Sequence, residues 1–168
     1  IRTALTLAAM TLASAAFAQE STNVVAEKTD WTVFTDEDPR ECWAVTIPKE
    51  TVNTKDGRVV SVTRGDIYLM VFYNPGANAL GQVYFRGGYT FAEGTTVNVN
   101  IGGTEFEFYT EEENSWPASE AEDAKVVTAM KRGATAVVTG LSSRGTTTKD
   151  TFSLLGFTAA VEDAEKRC

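Results

Sequence analysis

Residues 95–111 read TTVNVNIGGTEFEFYTE, and this stretch constrains the fold of the 168-residue chain more than any other. Val97, Val99 and Ile101 alternate with polar residues, Gly102 and Gly103 supply a tight turn, and Phe106 and Phe108 alternate with Glu105 and Glu107. Successive strand residues point to opposite sides, so this period of two makes a β-hairpin with one apolar and one wet face. A lone hairpin is marginal in water, and the apolar face must be covered by other elements.

The rest of the sequence offers such elements. Short strand-like runs recur as WTVFT (31–35), CWAVTIP (42–48), DIYLMVFYN (66–74), GQVYFRGGYTF (81–91), TAVVTGL (135–141) and TTTKDTFSL (146–154). Turn residues separate them: the acidic DEDPRE (36–41), Asp56-Gly57, NPGAN (74–78) and SSRG (142–145). Pro48 ends its strand or lies at a sheet edge. Trp31 and Trp43 fall inside strands and are expected in the core.

Two segments carry helical signals instead. In ENSWPASEAEDAKVVTAMKRG (113–133), Ser119 and Glu122 form a capping box. Acids follow at the start, Lys131 and Arg132 sit at the end, and Gly133 is the stop. At the C-terminus, Phe157, Ala160, Val161, Ala164 and Cys168 recur at spacings of three and four, one apolar stripe ending on the last residue. Many strands with two short helices, no repeats and no linker predict one β-sandwich domain decorated by helices.

The N-terminal residues IRTALTLAAMTLASAAFAQES have the form of a secretory signal peptide. Arg2 precedes an apolar run, and Ala16-Phe17-Ala18 forms a small-residue cleavage site. The expected division is therefore a signal peptide over 1–18 and a single domain over 19–168. The apolar run is too short for a membrane span, and no later stretch is long enough, so no transmembrane segment is expected after cleavage. The chain holds 23 acidic against 15 basic residues, a formal net charge of −8. Such a charge repels phosphate backbones and anionic lipid, which argues against nucleic acid as a partner.

Export places Cys42 and Cys168, the only cysteines, where disulfides persist. Two cysteines allow one intramolecular bond, a structural disulfide stapling the last helix to the strand of Cys42. A free terminal thiol or a disulfide-linked dimer is the rival arrangement. Histidine is absent, which removes Ser-His-Asp and Cys-His catalysis and histidine-ligated zinc.

The remaining candidate sites are sparse. Asp36, Glu37 and Asp38, and Glu111, Glu112 and Glu113, lack calcium-loop spacing and read as solvated loops. The glycine pairs in RGGY (86–89) and IGGT (101–104) read as turns, because neither has phosphate-loop spacing. No catalytic, metal or cofactor residue is assigned. Glu105 and Glu107 share a strand face, and paired-carboxylate hydrolysis would require them to line a concave pocket with at least one raised pKa. Trp116, before Pro117 in a polar loop, is the candidate binding aromatic.

FSLLGFTAA (152–160), preceded by AMKRGATAVVTG (129–140), with Asp30-Trp31 and Cys42 upstream, resembles the invasion-associated locus B family of exported alphaproteobacterial proteins. The resemblance implies an immunoglobulin-like β-sandwich, a periplasmic or envelope location, outer-membrane association or secretion included, and in some pathogens a link to host-cell invasion. It brings no cofactor, ligand or catalytic residue. It leaves Cys42 and Cys168 as the natural pair, since members with additional cysteines differ here. The expected function is a non-enzymatic periplasmic or cell-envelope binding protein with an unidentified protein or envelope component as partner. The alternative is a carboxylate-dependent periplasmic hydrolase.

Overall fold

The computed structural model describes residues 23–168, and the signal peptide expected over 1–18 lies outside the described residues. The strands, in chain order, are β1 (Val24–Lys28), β2 (Trp31–Glu37), β3 (Arg40–Thr46), β4 (Glu50–Lys55), β5 (Arg58–Val59) and β6 (Tyr68–Asn74). There follow β7 (Ala79–Arg86), β8 (Thr96–Ile101), β9 (Thr104–Glu111), β10 (Asn114–Trp116), helix α1 (Glu120–Arg132), β11 (Thr135–Leu141), β12 (Thr147–Ser153) and helix α2 (Phe157–Arg167). The fold is mainly β with two helices, one of them C-terminal, as the sequence leads one to expect.

All twelve strands of the described residues belong to one hydrogen-bonded sheet in the order β1-β2-β3-β6-β7-β10-β9-β8-β11-β12-β4-β5. In that order β3 is third and β4 eleventh, eight spacings apart. At about 4.8 Å per spacing a flat sheet would hold them about 38 Å apart. Only residues 47–49 join them, and an extended link of that length reaches about 14 Å. The sheet must therefore fold over on itself, and its two halves become the layers of a sandwich. Bonds across the layers confirm it: the Trp31 indole Nε1–H donates to the Ser153 carbonyl at 3.0 Å, and the Asp30 N–H donates to Leu155 O at 3.2 Å.

The core lies between these halves. Trp31, Val33, Ala44, Leu69, Val71 and Phe85 point inward from one half, and Val97, Val99, Phe108, Val138 and Phe152 from the other. Phe85 meets Phe152 edge-on with ring centroids 6.0 Å apart. The β8–β9 hairpin pairs in the expected register, Val97 opposite Phe108 and Ile101 opposite Thr104.

Helix α1 packs chiefly on β7 and helix α2 on β2 and β3, and the two helices touch. The Ser119 hydroxyl oxygen accepts the Glu122 N–H at 3.3 Å, and Val126 and Met130 of α1 are buried. Gly133 does end α1, though in extended backbone (φ −84°); a side chain is excluded there because a Cβ would lie 2.7 Å from Ile101 Cγ2. The α2 stripe is buried as expected, with Phe157 edge-on to Trp31 at 4.8 Å. Gly156 opens α2 at φ +89°, and a Cβ there would fall 1.8 Å from the Lys28 carbonyl oxygen. The glycine in FSLLGF is thus the close approach that lets β12 turn into α2 beneath β1.

Three expectations are corrected. Trp43 is not in the core: it is half-buried on the outer face, stacked on Phe34 at 5.5 Å, because its neighbours Cys42 and Ala44 take the inward positions of β3. The acidic segment after Thr35 is not a loop: β2 and β3 pair through Asp36–Glu41 and Glu37–Arg40, leaving Asp38 and Pro39 to turn. Trp116 sits in a short strand rather than a loop, because Asn114 and Ser115 bridge β7 and β9.

Candidate functional site

Cys42 and Cys168 are bonded, with Cα atoms 5.9 Å apart at a sequence separation of 126. Cys42 is fully buried in β3, and the bond fixes the end of α2 to it. The Arg40 guanidinium also donates to the Arg167 carbonyl, so the last turn is held twice. The bond joins elements and leaves no free cysteine among the described residues.

The other sequence candidates separate in space. Glu105 and Glu107 are both exposed on the outer face of β9, and they do not share a concave pocket. The carboxyl that burial pushes above its ordinary range is instead Asp123 on α1, whose Oδ1 accepts the Val83 N–H at 2.8 Å. Asp36 accepts from Asn23, and Glu113 pairs with Arg86 at 2.6 Å. Among the described residues no group of three His, Cys, Asp or Glu side chains is placed to hold a metal. Trp116 is half-buried and stacks on Tyr84 at 6.1 Å, which stacks on Tyr68 at 6.5 Å. It borders a groove with Gln82, Glu120 and Asp123.

A larger cleft, about 550 Å³, was not anticipated from sequence. Three segments wall it: residues 61–64 of the irregular link between β5 and β6, residues 88–90 after β7, and the β11–β12 turn with Thr146 and Thr148. Its organiser is Arg64, whose side chain is 6% exposed against 0% for Asp150. Arg64 Nη1 and Nη2 donate to Asp150 Oδ1 and Oδ2, each at 2.7 Å, and Nε and Nη2 donate to the Gly87 carbonyl at 3.0 and 2.7 Å. The guanidinium also lies 5.0 Å from the centre of the Tyr89 ring. A buried charge pair survives only when bidentate and fully hydrogen-bonded, and this one meets both conditions.

Backbone contacts lock the same segments together. The Gly65 N–H donates to Gly88 O at 2.8 Å, and a Cβ on Gly88 (φ +70°) would lie 2.6 Å from Gly65 O. The Ser143 N–H donates to Thr90 O at 2.8 Å, and the Ser142 hydroxyl oxygen accepts the Thr146 N–H at 3.0 Å. Tyr89 and Thr148 share a 2.6 Å hydroxyl–hydroxyl bond, and burial raises the Tyr89 phenol above its ordinary range. The walls are thus hydrogen-bonded to one another and rich in hydroxyls, with Ser61, Thr63, Thr90 and Ser143 exposed. Arg144 stands exposed at the mouth and makes no ion pair or side-chain hydrogen bond among the described residues.

One signal of this site was present in the sequence. In TTKDTFS, Asp150 shares the alternation of Thr148 and Phe152, which places a carboxylate on the core face. A buried acid demands a partner, but the sequence does not say that Arg64, 86 residues away, supplies it.

Fold and site define a disulfide-closed, mainly β protein with a polar cleft walled by residues 61–64, 88–90 and 142–148. The sequence model of the invasion associated locus B (IalB) family matches residues 31–165, and the chain belongs to that family. No curated protein sequence matches it. Among solved structures it is similar to the crystal structure of invasion associated protein b from Bartonella henselae. The two share 14% identity with a TM-score of 0.52, over 83% of this chain and 94% of that one, a likeness of fold.

Proposed function

We propose that this protein is an exported binding protein of the periplasm or cell envelope, and that it works by recognition rather than catalysis. The observation that carries this reading is the cleft between residues 61–64, 88–90 and 142–148: concave and lined by converging polar groups, as ligand sites are. Its lining side chains are mostly hydroxyls and guanidinium groups, and the carboxylate behind them, the fully buried Asp150, is consumed by Arg64. Among the described residues, neither a nucleophile–base pair nor an acid–base pair of carboxylates lines it. The Cys42–Cys168 bond supports an oxidising compartment, as does membership of the IalB family.

A second mode of recognition has its own observation. β5 covers β4 only at Thr54 and Lys55, with one more bond from the Val60 N–H to Asn53 O. Upstream of Asn53, β4 has an open edge among the described residues, the template used in strand addition.

The test is expression of the full chain with a C-terminally placed affinity tag, followed by separation of cytoplasm, periplasm and culture medium and capture from envelope extract. Recovery outside the cytoplasm with a specifically retained envelope component is the expected result. Retention in the cytoplasm, or capture of nothing beyond the untagged control, refutes the reading.

A further inference from the structure

We infer that the Arg64–Tyr89–Arg144 cleft takes an acidic saccharide, a chain of hydroxylated rings bearing a carboxylate. The inference rests on the binding role proposed above and adds the ligand class. Four exposed hydroxyls, Ser61, Thr63, Thr90 and Ser143, line the walls from three different segments. A hydroxyl both donates and accepts, so an array of them matches a polyol, whose own hydroxyls do the same. A space of about 550 Å³ suits a short oligosaccharide rather than a single small ion.

The charge distribution sets the rest. Arg64 is neutralised by Asp150 and has its remaining N–H groups turned to Gly87 O and Asn53 Oδ1, so the floor of the cleft is polar but carries no free charge. Among the described residues, Arg144 alone offers an unneutralised guanidinium at the mouth, and no unpaired acid lines the site. One planar fork fits one carboxylate, whereas phosphate groups of higher charge call for clusters of cations. Val62, 41% exposed at the rim, gives the apolar C–H face of a sugar ring something to rest on.

The experiment is a heteronuclear NMR titration of ¹⁵N-labelled protein with trigalacturonate, and with maltotriose and inorganic phosphate as comparisons. The expected result is shift changes confined to residues 61–64, 88–90 and 142–148, with maltotriose weaker. Arg144→Gln should weaken trigalacturonate at least about tenfold, as expected for loss of a charge-assisted hydrogen bond, with an unchanged melting temperature. Lack of shifts with millimolar trigalacturonate, equal binding of phosphate, or undiminished affinity in Arg144→Gln overturns the saccharide assignment. Those failures leave export and envelope capture untouched, so the ligand class and the binding role fail separately.

Discussion

Arg64 and Asp150 meet through two parallel 2.7 Å hydrogen bonds inside the protein, joining the β5–β6 link to the centre of β12 across 86 residues of sequence. The pair sits beneath the cleft and sets the position of every wall that contacts it. Removing either member alone leaves the other buried without its counter-charge.

Asp150→Ala is therefore expected to cost about 3–5 kcal/mol in urea denaturation, far more than loss of an exposed pair. The double variant Arg64→Met, Asp150→Leu should recover much of that loss, because no orphaned charge remains. A loss below about 1 kcal/mol in Asp150→Ala would mean that the pair is accessible to water.

The Cys42–Cys168 bond closes a loop of 126 residues. In the chain-entropy description such a loop is worth about 5 kcal/mol, acting on the unfolded state. Cys168→Ser should lower stability by up to that amount while α2 stays packed through Phe157, Ala160 and Val161. Intact mass with an alkylating reagent provides the companion check: neither thiol is labelled until the protein is reduced. Labelling without reductant would contradict the staple.

Gly156→Ala should be among the most damaging single-methyl additions, since its Cβ would overlap the Lys28 carbonyl. Gly57→Ala is the control: it has a comparable positive φ of +72° and open space around the Cβ, and should cost only about 1–2 kcal/mol. Thermal melts of both variants compare a backbone penalty with a steric one. Equal losses would show that β1 yields to the side chain.

Acid titration should separate carboxyls of opposite sign. The Lys49 bond, with a further one from Ser153, lowers Asp30; Arg167 and then Lys28 lower Asp163. Their charged forms favour the fold, so their contribution is present above the ordinary carboxyl range and is lost as pH falls through and below about 4. Asp123 behaves oppositely, because burial raises it and its charged form opposes folding. Its penalty appears as pH rises through the raised value and is absent below about 4. Asp123→Asn, which can still accept the Val83 N–H, should be at least as stable as wild type at pH 7, with the difference closing in acid. Asp123→Ala orphans that N–H and should lose about 1–3 kcal/mol at any pH. A destabilised Asp123→Asn at pH 7 would assign the carboxylate charge a favourable role.

Local chemistry made much of the molecule legible in the sequence. Alternation in VNVNI and EFEF specified the β8–β9 hairpin and its faces, Ser119 and Glu122 specified the start of α1, and the stripe from Phe157 to Cys168 specified which side of α2 is buried. Those signals depend on residues within a few positions of one another, where backbone geometry alone decides what shares a face. Trp43 shows the limit. Its strand was readable, but the face it takes depends on the register of β3 against β2 and β6.

Tertiary structure alone decided the strand order, the folding over of the sheet and the cleft. Thr46 and Glu50 are four positions apart in sequence, yet β3 and β4 lie eight spacings apart in the sheet, an arrangement only the closed architecture permits. Asp150 announced a buried charge by its place in the alternation. That Arg64 neutralises it, that Gly65 and Gly88 touch, and that Arg144 is left facing solvent all follow from long-range packing. Short-range periodicity carries no information about which distant loops the sheet will bring together.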